Sequence, residues 1–293
     1  MMKALMRGIV RYTLKPILHP RFSVHWQRRL LAPIGPTQPR VRGSSFDPVD
    51  MNGVAARRIA CQSNNKRAVL YLHGGAYVLG GAASHRGLMS HLAKAANATV
   101  FGPEYRMAPE HPHPAALDDA LAAYQWLLEN GFTAGNIFIA GDSAGGGLAL
   151  LTALAIRDQS LAQPAGLVLL SPWVDLSQSC ESIQRNADID PMINVAWGAW
   201  AARLYARDYE LTDPAVSPLF AKLDGLPNML IQVGSDEVML DESIALADKA
   251  KAAGVGVELQ IEDGMWHVFQ LHTKLLKESM QAIARMADFI QAN

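Results

Sequence analysis

The stretch Ile137-Phe138-Ile139-Ala140-Gly141-Asp142-Ser143-Ala144-Gly145-Gly146 decides the fold of this chain. Its apolar start predicts a buried strand, and the residues from Gly146 onward predict a helix. A serine on so sharp a strand-to-helix turn takes strained backbone angles and needs small neighbours. Gly141 and Gly145 meet that need because glycine has no Cβ. The pattern therefore predicts that Ser143 is a nucleophile held above the end of a sheet.

Strand and helix patterns alternate on both sides of this turn. Apolar runs predict strands at Ala68–His73, Ala98–Phe101, Ile137–Ala140, Gly166–Ser171, Met229–Val233 and Val255–Ile261. Helices are predicted near residues 84–96, 114–130, 144–158, 241–253 and 268–291. Continuous apolar strands separated by helices are typical of parallel sheets covered on both faces. The predicted fold class is α/β, a mostly parallel twisted sheet with helices on both faces and a helical cap.

The cap is expected from an insertion of nearly sixty residues between the strands that end at Ser171 and begin at Met229. There, Asp190 is expected to N-cap a helix that begins at Pro191. One apolar face of that helix would carry Ile193, Trp197, Trp200 and Leu204. We therefore expect a cap insertion at residues 177–212, an N-terminal cap segment at 1–45, and a catalytic α/β domain at 46–176 and 213–293.

The N-terminal segment is strongly basic. Residues 1–46 hold nine Lys or Arg and no acidic residue, which leaves 17 basic against 27 acidic residues in the rest. A spacing of four places Lys3, Arg7, Arg11 and Lys15 on one helical face. The first interpretation is a basic helix docked on an acidic body. The alternative is a membrane-surface helix that recruits an apolar substrate, although membrane contact is not expected.

Composition excludes several other classes. The chain has 293 residues, half of them apolar, and a formal charge of −1, which argues against nucleic acid as a partner. No segment approaches the roughly 20 apolar residues that cross a bilayer. Two cysteines give neither a disulfide framework nor a thiolate metal site, so we expect a cytoplasmic location and no metal.

A second glycine motif, His73-Gly74-Gly75-Ala76-Tyr77, follows the predicted strand at Ala68–His73. Acyl transfer places negative charge on a carbonyl oxygen, and backbone N–H groups must already point at it. Glycine lets the backbone approach closely because no side chain intervenes. We therefore expect an oxyanion hole formed by the N–H groups of Gly74, Gly75 and Ala144.

The serine needs a neutral imidazole to accept its proton. Of nine histidines, His267 has the best position, because it follows the last predicted strand in a loop that can reach over the sheet. The imidazole in turn needs a carboxylate. Asp236 follows the strand Met229–Val233, and Glu237 and Asp241 are rival acids. Asp236 is preferred, giving the chain order Ser143, Asp236, His267.

Together these motifs resemble the hormone-sensitive-lipase-like branch of the α/β-hydrolases, the bacterial family IV esterases. The motifs that carry the resemblance are His73–Tyr77, Tyr105–Pro112, Gly141–Gly146 and Asp213–Pro218. The resemblance covers roughly residues 55–290, and Ala76 replaces a glycine common in the family. It implies ester hydrolysis through an acyl-enzyme on Ser143, with Asp236 and His267 completing the triad. No metal or organic cofactor is implied.

The expected function is a serine carboxylesterase acting on short- to medium-chain acyl esters, as a monomer or homodimer. The same triad also serves lipases, lactonases and amidases, which differ in pocket and leaving group. A non-catalytic ligand-binding protein on the same fold is a further alternative, disfavoured because all three triad members are present. The aromatic residues expected to line a substrate groove are Tyr77, Trp197, Trp200 and Trp266.

Overall fold

A computed structural model of the chain describes residues 1–61 and 66–293. Within these residues, eight strands form one sheet in the order β1-β2-β4-β3-β5-β6-β7-β8. The strands are β1 (Asp47–Met51), β2 (Val54–Ile59), β3 (Ala68–Leu72), β4 (Thr99–Pro103), β5 (Ile137–Asp142), β6 (Gly166–Leu170), β7 (Met229–Gly234) and β8 (Val257–Glu262). Strands β3 to β8 are parallel, whereas β1 and β2 form an antiparallel hairpin that pairs with β4.

Helices cover both faces of the sheet. The α-helices are α1 (Met2–Thr13), α2 (Val24–Leu31), α3 (Ala82–Ala95), α4 (Ala115–Glu129), α5 (Ala144–Asp158), α6 (Ser182–Arg185), α7 (Val195–Ala206), α8 (Leu240–Ala252) and α9 (Lys277–Ala292). Short 3₁₀ helices span Ala32–Thr37, Ala134–Asn136, Pro218–Phe220 and Phe269–Leu271. None of the helices in the described ranges is both long and apolar enough to cross a membrane.

The core explains this layered arrangement. Every residue of β3 is buried, and its side chains alternate between the two faces. Leu70 and Leu72 belong to the core that includes residues of α4, α5 and α8, whereas Val69 and Tyr71 belong to the core that includes residues of α3 and α9. The predicted α/β class with a mostly parallel sheet is confirmed.

Two elements differ from the sequence-based expectation. The last helix begins at Lys277, because the residues after His267 form turns and a 3₁₀ helix rather than continuing an α-helix. The β1–β2 hairpin was not predicted. Its turn is Asn52-Gly53, with both residues in the left-handed region at φ 56° and 87°, and Asn-Gly is a strong hairpin signal.

The helix of the insertion also starts later than expected. Its N-cap is Asn194, whose Oδ1 accepts the N–H of Trp197 at 3.0 Å, so the prediction of Asp190 as N-cap is wrong. Asp190 is fully buried. Its carboxylate accepts the N–H groups of Met192 at 2.7 Å and of Val238 at 3.2 Å. The carboxylate therefore joins the insertion to the chain that follows β7.

The basic face of α1 and the residues just after it lies against the body of the protein. Lys3 donates to the carbonyl of Asp263, Arg11 to those of Asp188 and Ile189, and Lys15 to those of Ala187 and Asp190. All five of these partners are backbone carbonyl oxygens rather than acidic side chains. The partial negative charge of loop carbonyl groups therefore helps to hold the basic helix against the protein, in addition to the formal charge of acidic residues.

Candidate active site

The carboxyl ends of the parallel strands meet at one edge of the sheet and bring the predicted residues together. Ser143 follows β5, Glu237 follows β7, and His267 follows β8. The glycine motif beginning at His73 follows β3, which lies beside β5. The strand order reverses between β3 and β5, and such switch points form crevices at the carboxyl ends of the strands. This edge is therefore the candidate active site.

Ser143 sits on the strained turn that the sequence predicted. Its backbone has φ 53° and ψ −123°, and it is the N-cap of α5. A Cβ on Gly141 would collide with the carbonyl of Gly145, and a Cβ on Gly145 would collide with the carbonyl of Leu72. The N–H of Trp173 donates to the carbonyl of Ser143 at 2.9 Å. The turn is thus fixed by close backbone packing on both sides.

The imidazole at the site pairs with Glu237. His267 Nδ1 lies 2.9 Å from Glu237 Oε2, and both side chains are at most 1% exposed. The other carboxylate oxygen of Glu237 accepts the hydroxyl of Ser171 at 2.9 Å and the N–H of Gly234. The Ser171 hydroxyl also accepts the N–H of Val268 at 3.1 Å. Both carboxylate oxygens are therefore held, and Glu237 orients the ring through Nδ1.

The prediction that Asp236 orients His267 is wrong. Asp236 Oδ2 lies 2.7 Å from Arg7 Nη1, and its side chain is 26% exposed. The neighbouring acid, Glu237, is fully buried, so the backbone of this turn directs one carboxylate inward and the other outward. Both acids were visible in the sequence. What the sequence lacked was the direction in which each side chain leaves the turn.

The environment shifts the pKa of both partners. Burial lowers the pKa of His267, but the hydrogen bond and charge of Glu237 outweigh it, helped by Asp190 and Asp142, and the pKa lies above its ordinary value. Burial raises the pKa of Glu237, and the hydrogen bond to His267 opposes that rise. A carboxylate beside the ring stabilises the imidazolium that proton transfer would create.

The expected oxyanion hole needs one correction. The N–H of Gly74 donates to Asp142 Oδ1 at 3.0 Å, so it is not available to a substrate and the prediction for Gly74 is wrong. Asp142 also accepts the hydroxyl of Tyr71 at 2.8 Å and pairs with His85. This buried carboxylate therefore fastens the glycine motif to the strand that carries Ser143.

The N–H groups of Gly75, Ala76 and Ala144 have no hydrogen-bond acceptor among residues 1–61 and 66–293. Ala76 has φ 54°, in the left-handed region of backbone conformation. Ala144 is the first residue of α5, where N–H groups have no partner within the helix. These three donors are free to bind an oxyanion.

A mostly apolar cavity opens above Ser143. Its lining comes from the glycine motif, the turn that carries Ser143, the chain after β6, the insertion and the chain after β7. The lining residues are Ala76, Ser143, Trp173, Gln178, Ile183, Ile193, Val195, Trp197, Gly198, Val238 and Met239. Trp197 is thus on the cavity, and its Nε1 donates to Gln27 Oε1 of α2 at 2.9 Å.

The other three aromatic residues expected in the groove lie elsewhere. Tyr77 is fully buried and stacks on Tyr205, with ring centroids 3.6 Å apart. Trp200 is partly buried against the main core. Trp266 is fully buried in a cluster with residues of α1 and α9. Each of these three aromatic side chains therefore packs within the protein.

In the part of the chain that the structure describes, no group of three or more His, Cys, Asp or Glu side chains could hold a metal ion.

Comparison with known proteins gives consistent matches. The family model described as alpha/beta hydrolase fold matches residues 69–271. An esterase of Acinetobacter venetianus is 39% identical over 243 residues, 83% of this chain and 80% of that one. A putative acetyl-hydrolase of Mycobacterium tuberculosis, LipR, is 35% identical over 284 residues, 96% and 92% of the two chains. The crystal structure of an esterase from the bacterial hormone-sensitive lipase family has a TM-score of 0.94 at 39% identity, covering 99% of this chain and 97% of that one.

Proposed function

Because the chain belongs to the hormone-sensitive-lipase branch of the α/β-hydrolase family and is a serine carboxylesterase, we propose that Ser143, His267 and Glu237 are its catalytic triad. The observation that carries this proposal is the buried hydrogen bond between Glu237 and His267 at the same sheet edge as the strained serine turn. The expectation of a carboxylic ester hydrolase, derived above from motifs, is confirmed.

The geometry supports a two-step mechanism. His267 Nε2 accepts the hydroxyl proton of Ser143 as Oγ bonds to the ester carbonyl carbon. The bond from that carbon to the alkoxy oxygen then breaks, and the imidazolium returns the proton to the departing alcohol. In the second step His267 takes a proton from water as the water oxygen bonds to the acyl carbon. The bond from that carbon to Oγ then breaks, the imidazolium returns the proton to Ser143 Oγ, and the acid leaves. Glu237 stabilises the imidazolium in both steps.

The oxyanion hole in this proposal consists of the N–H groups of Gly75, Ala76 and Ala144. Gly75 and Ala144 remain from the sequence-based expectation, and Ala76 replaces Gly74. Ala76 lines the cavity together with Ser143, whereas the N–H of Gly74 is already bonded to Asp142. Preorganised donors of this kind typically contribute about 10²–10³ each in rate.

The substrates in this proposal are short- to medium-chain acyl esters. The apolar side chains Ile183, Ile193 and Trp197 of the insertion enclose the cavity above Ser143 and favour an apolar acyl group. Residues 1–45 and 177–212 act together as the cap, which is supported by the hydrogen bond between Trp197 and Gln27. The rest of the chain, 46–176 and 213–293, forms the catalytic domain.

We also propose a cytoplasmic location and a monomeric or homodimeric state. The two cysteines, Cys61 and Cys180, are both free, as expected in a reducing compartment. Cell fractionation tests the location, and sedimentation tests the oligomeric state.

The triad is tested by Ser143→Ala with p-nitrophenyl esters from acetate to palmitate. The wild type is expected to favour acetate to octanoate, and the variant to lose at least about 10⁴-fold in kcat/KM. A fluorophosphonate probe should label the wild type and not the variant. Hydrolysis by the variant at near wild-type rate would refute the role of Ser143, and preference for palmitate would favour a lipase.

A further inference from the structure

Arg7 of α1 reaches the chain segments that carry the proposed triad. Its Nη1 lies 2.7 Å from Asp236 Oδ2 and 3.5 Å from the carbonyl of Gly264. Its Nη2 donates to the carbonyl of Ile189 in the insertion at 2.7 Å. One guanidinium therefore joins the acid loop (residues 234–238), the histidine loop (residues 263–268) and the cap insertion.

The acid loop and the histidine loop are already bonded to each other at this point. The N–H of Asp236 donates to the carbonyl of Met265 at 3.0 Å. The N–H of Gly264 donates to the Ser235 hydroxyl at 2.8 Å, and that hydroxyl donates to Asp236 Oδ1. Arg7 completes this network from the outer side. Its partner Asp236 is one residue before Glu237 in the acid loop, and its partner Gly264 is three residues before His267 in the histidine loop.

Apolar packing holds α1 in the same place. Met6 and Val10 are buried in one cluster with Met265 and Trp266, the two residues immediately before His267. The helix thus covers the outer side of the histidine loop, while the Glu237–His267 pair lies within the protein. A rigid guanidinium with several donors suits such a junction, because each contact limits the freedom of the others.

We propose that Arg7 is a positioning residue for the Glu237–His267 pair and acts through Asp236 and the two loops. This proposal rests on the triad proposed above. Arg7 does not touch the reacting atoms; it fixes the separation of the acid and histidine loops and so the geometry of the hydrogen bond between Glu237 and the ring. Within the basic segment, Arg7 then has a positioning role in addition to its contact with the cap insertion.

Arg11 offers a matched control on the same helix. Its Nη2 donates to the carbonyls of Asp188 at 2.8 Å and Ile189 at 2.9 Å, and its described hydrogen bonds reach neither catalytic loop. A role limited to holding the insertion predicts equal effects from Arg7→Gln and Arg11→Gln. A positioning role predicts that only Arg7→Gln changes the chemical steps.

The experiment measures kcat and KM for p-nitrophenyl butyrate hydrolysis by the full-length wild type, Arg7→Gln, Arg11→Gln, Asp236→Ala and the Arg7→Gln/Asp236→Ala double variant. We expect kcat to fall about 10-fold in Arg7→Gln and in Asp236→Ala, because small displacements of a catalytic pair are costly. We expect the double variant to be no slower than either single variant, because coupled partners are non-additive. Arg11→Gln should keep kcat within about twofold.

Proton NMR adds a readout that a purely structural role would leave unchanged. The Nδ1 proton of His267, bonded to Glu237, is expected downfield in the wild type and in Arg11→Gln, and broadened or lost in Arg7→Gln. Equal kcat losses in the two arginine variants, or an intact Nδ1 signal with unchanged kcat in Arg7→Gln, would overturn the proposal. If Arg7→Gln does not fold, the kcat of Asp236→Ala decides whether the proposal stands, because this variant keeps the contact between Arg7 and Ile189. An unchanged kcat in Asp236→Ala would then overturn the proposal.

Failure of the positioning role proposed for Arg7 can be distinguished from failure of the proposed triad. If Ser143→Ala keeps its activity, the proposed function itself is wrong. If Ser143→Ala is inactive while Arg7→Gln matches Arg11→Gln, the triad stands and only the positioning role falls.

Discussion

The serine turn and the acid loop are both short turns after parallel strands, yet they were predicted with different success. At the serine turn, Gly141 and Gly145 are required by local backbone collisions, so the sequence alone identifies Ser143. At the acid loop, Asp236 and Glu237 are chemically alike and adjacent. Only the burial of the side chain distinguishes Glu237 from Asp236, and burial depends on residues that are distant in the chain. Local sterics can be read from sequence, whereas side-chain direction in an irregular turn requires the neighbours.

The largest expected effect separates the two acids directly. Glu237→Gln should reduce kcat by about 10³- to 10⁴-fold, because an amide cannot stabilise the imidazolium and favours the wrong ring tautomer. Asp236→Asn keeps an acceptor for Arg7 and should reduce kcat by less than about threefold. Steady-state kinetics with p-nitrophenyl butyrate check both variants. A larger loss in Asp236→Asn than in Glu237→Gln would reverse the assignment.

The next prediction concerns the steric requirement at the serine turn. Gly145→Ala should lower the free energy of unfolding by at least about 3 kcal/mol, because its Cβ would meet the Leu72 carbonyl. Gly135→Ala is the matched control: Gly135 is exposed and a Cβ there meets nothing within 4 Å, so the change should stay within about 0.5 kcal/mol. Urea unfolding measures both. Equal stability of the two variants would show that the turn tolerates a Cβ.

A smaller effect is expected at Ser171, which sequence reasoning missed. Ser171→Ala removes a donor to Glu237 and leaves the buried N–H of Val268 without its acceptor. We expect kcat/KM to fall about 10-fold. Ser90→Ala is the control, since that buried hydroxyl donates to the Gly87 carbonyl and accepts the N–H of Val41, and neither contact involves a residue of the triad. An unchanged kcat/KM in Ser171→Ala would show that the Gly234 N–H suffices to hold Glu237.

The smallest effect is a shift in pH dependence. The ring must be neutral to accept a proton, so kcat/KM falls as the pH drops through the pKa of His267. Because that pKa is raised, the acid limb should lie above 6.5 in the wild type. In Glu237→Gln, burial should dominate and move the limb to lower pH. The pH profile of kcat/KM for both proteins checks this, and a wild-type limb at or below 6.5 would contradict it.

The sequence was sufficient where a pattern had a single steric or topological solution. It located β3 and β5 to β7 closely because fully buried strands are continuous apolar runs, and it placed His267 after the last strand. It failed where the partner of a group decided its role. The N–H of Gly74 is bonded to Asp142, and Trp266 packs against α1, and neither contact follows from local pattern.

By itself, the amino-acid sequence determined the layered α/β fold, the strained serine turn and the edge of the sheet where the chemistry resides. Hydrophobic periodicity and the steric requirement for glycine act over a few residues, so both can be recognised from the sequence alone. Only the tertiary structure decided which of two neighbouring carboxylates faces the imidazole, which N–H groups stay free and that a basic helix closes the catalytic loops. These outcomes depend on contacts between segments as far apart as Arg7 and Asp236, whose orientation arises only when the whole chain is packed.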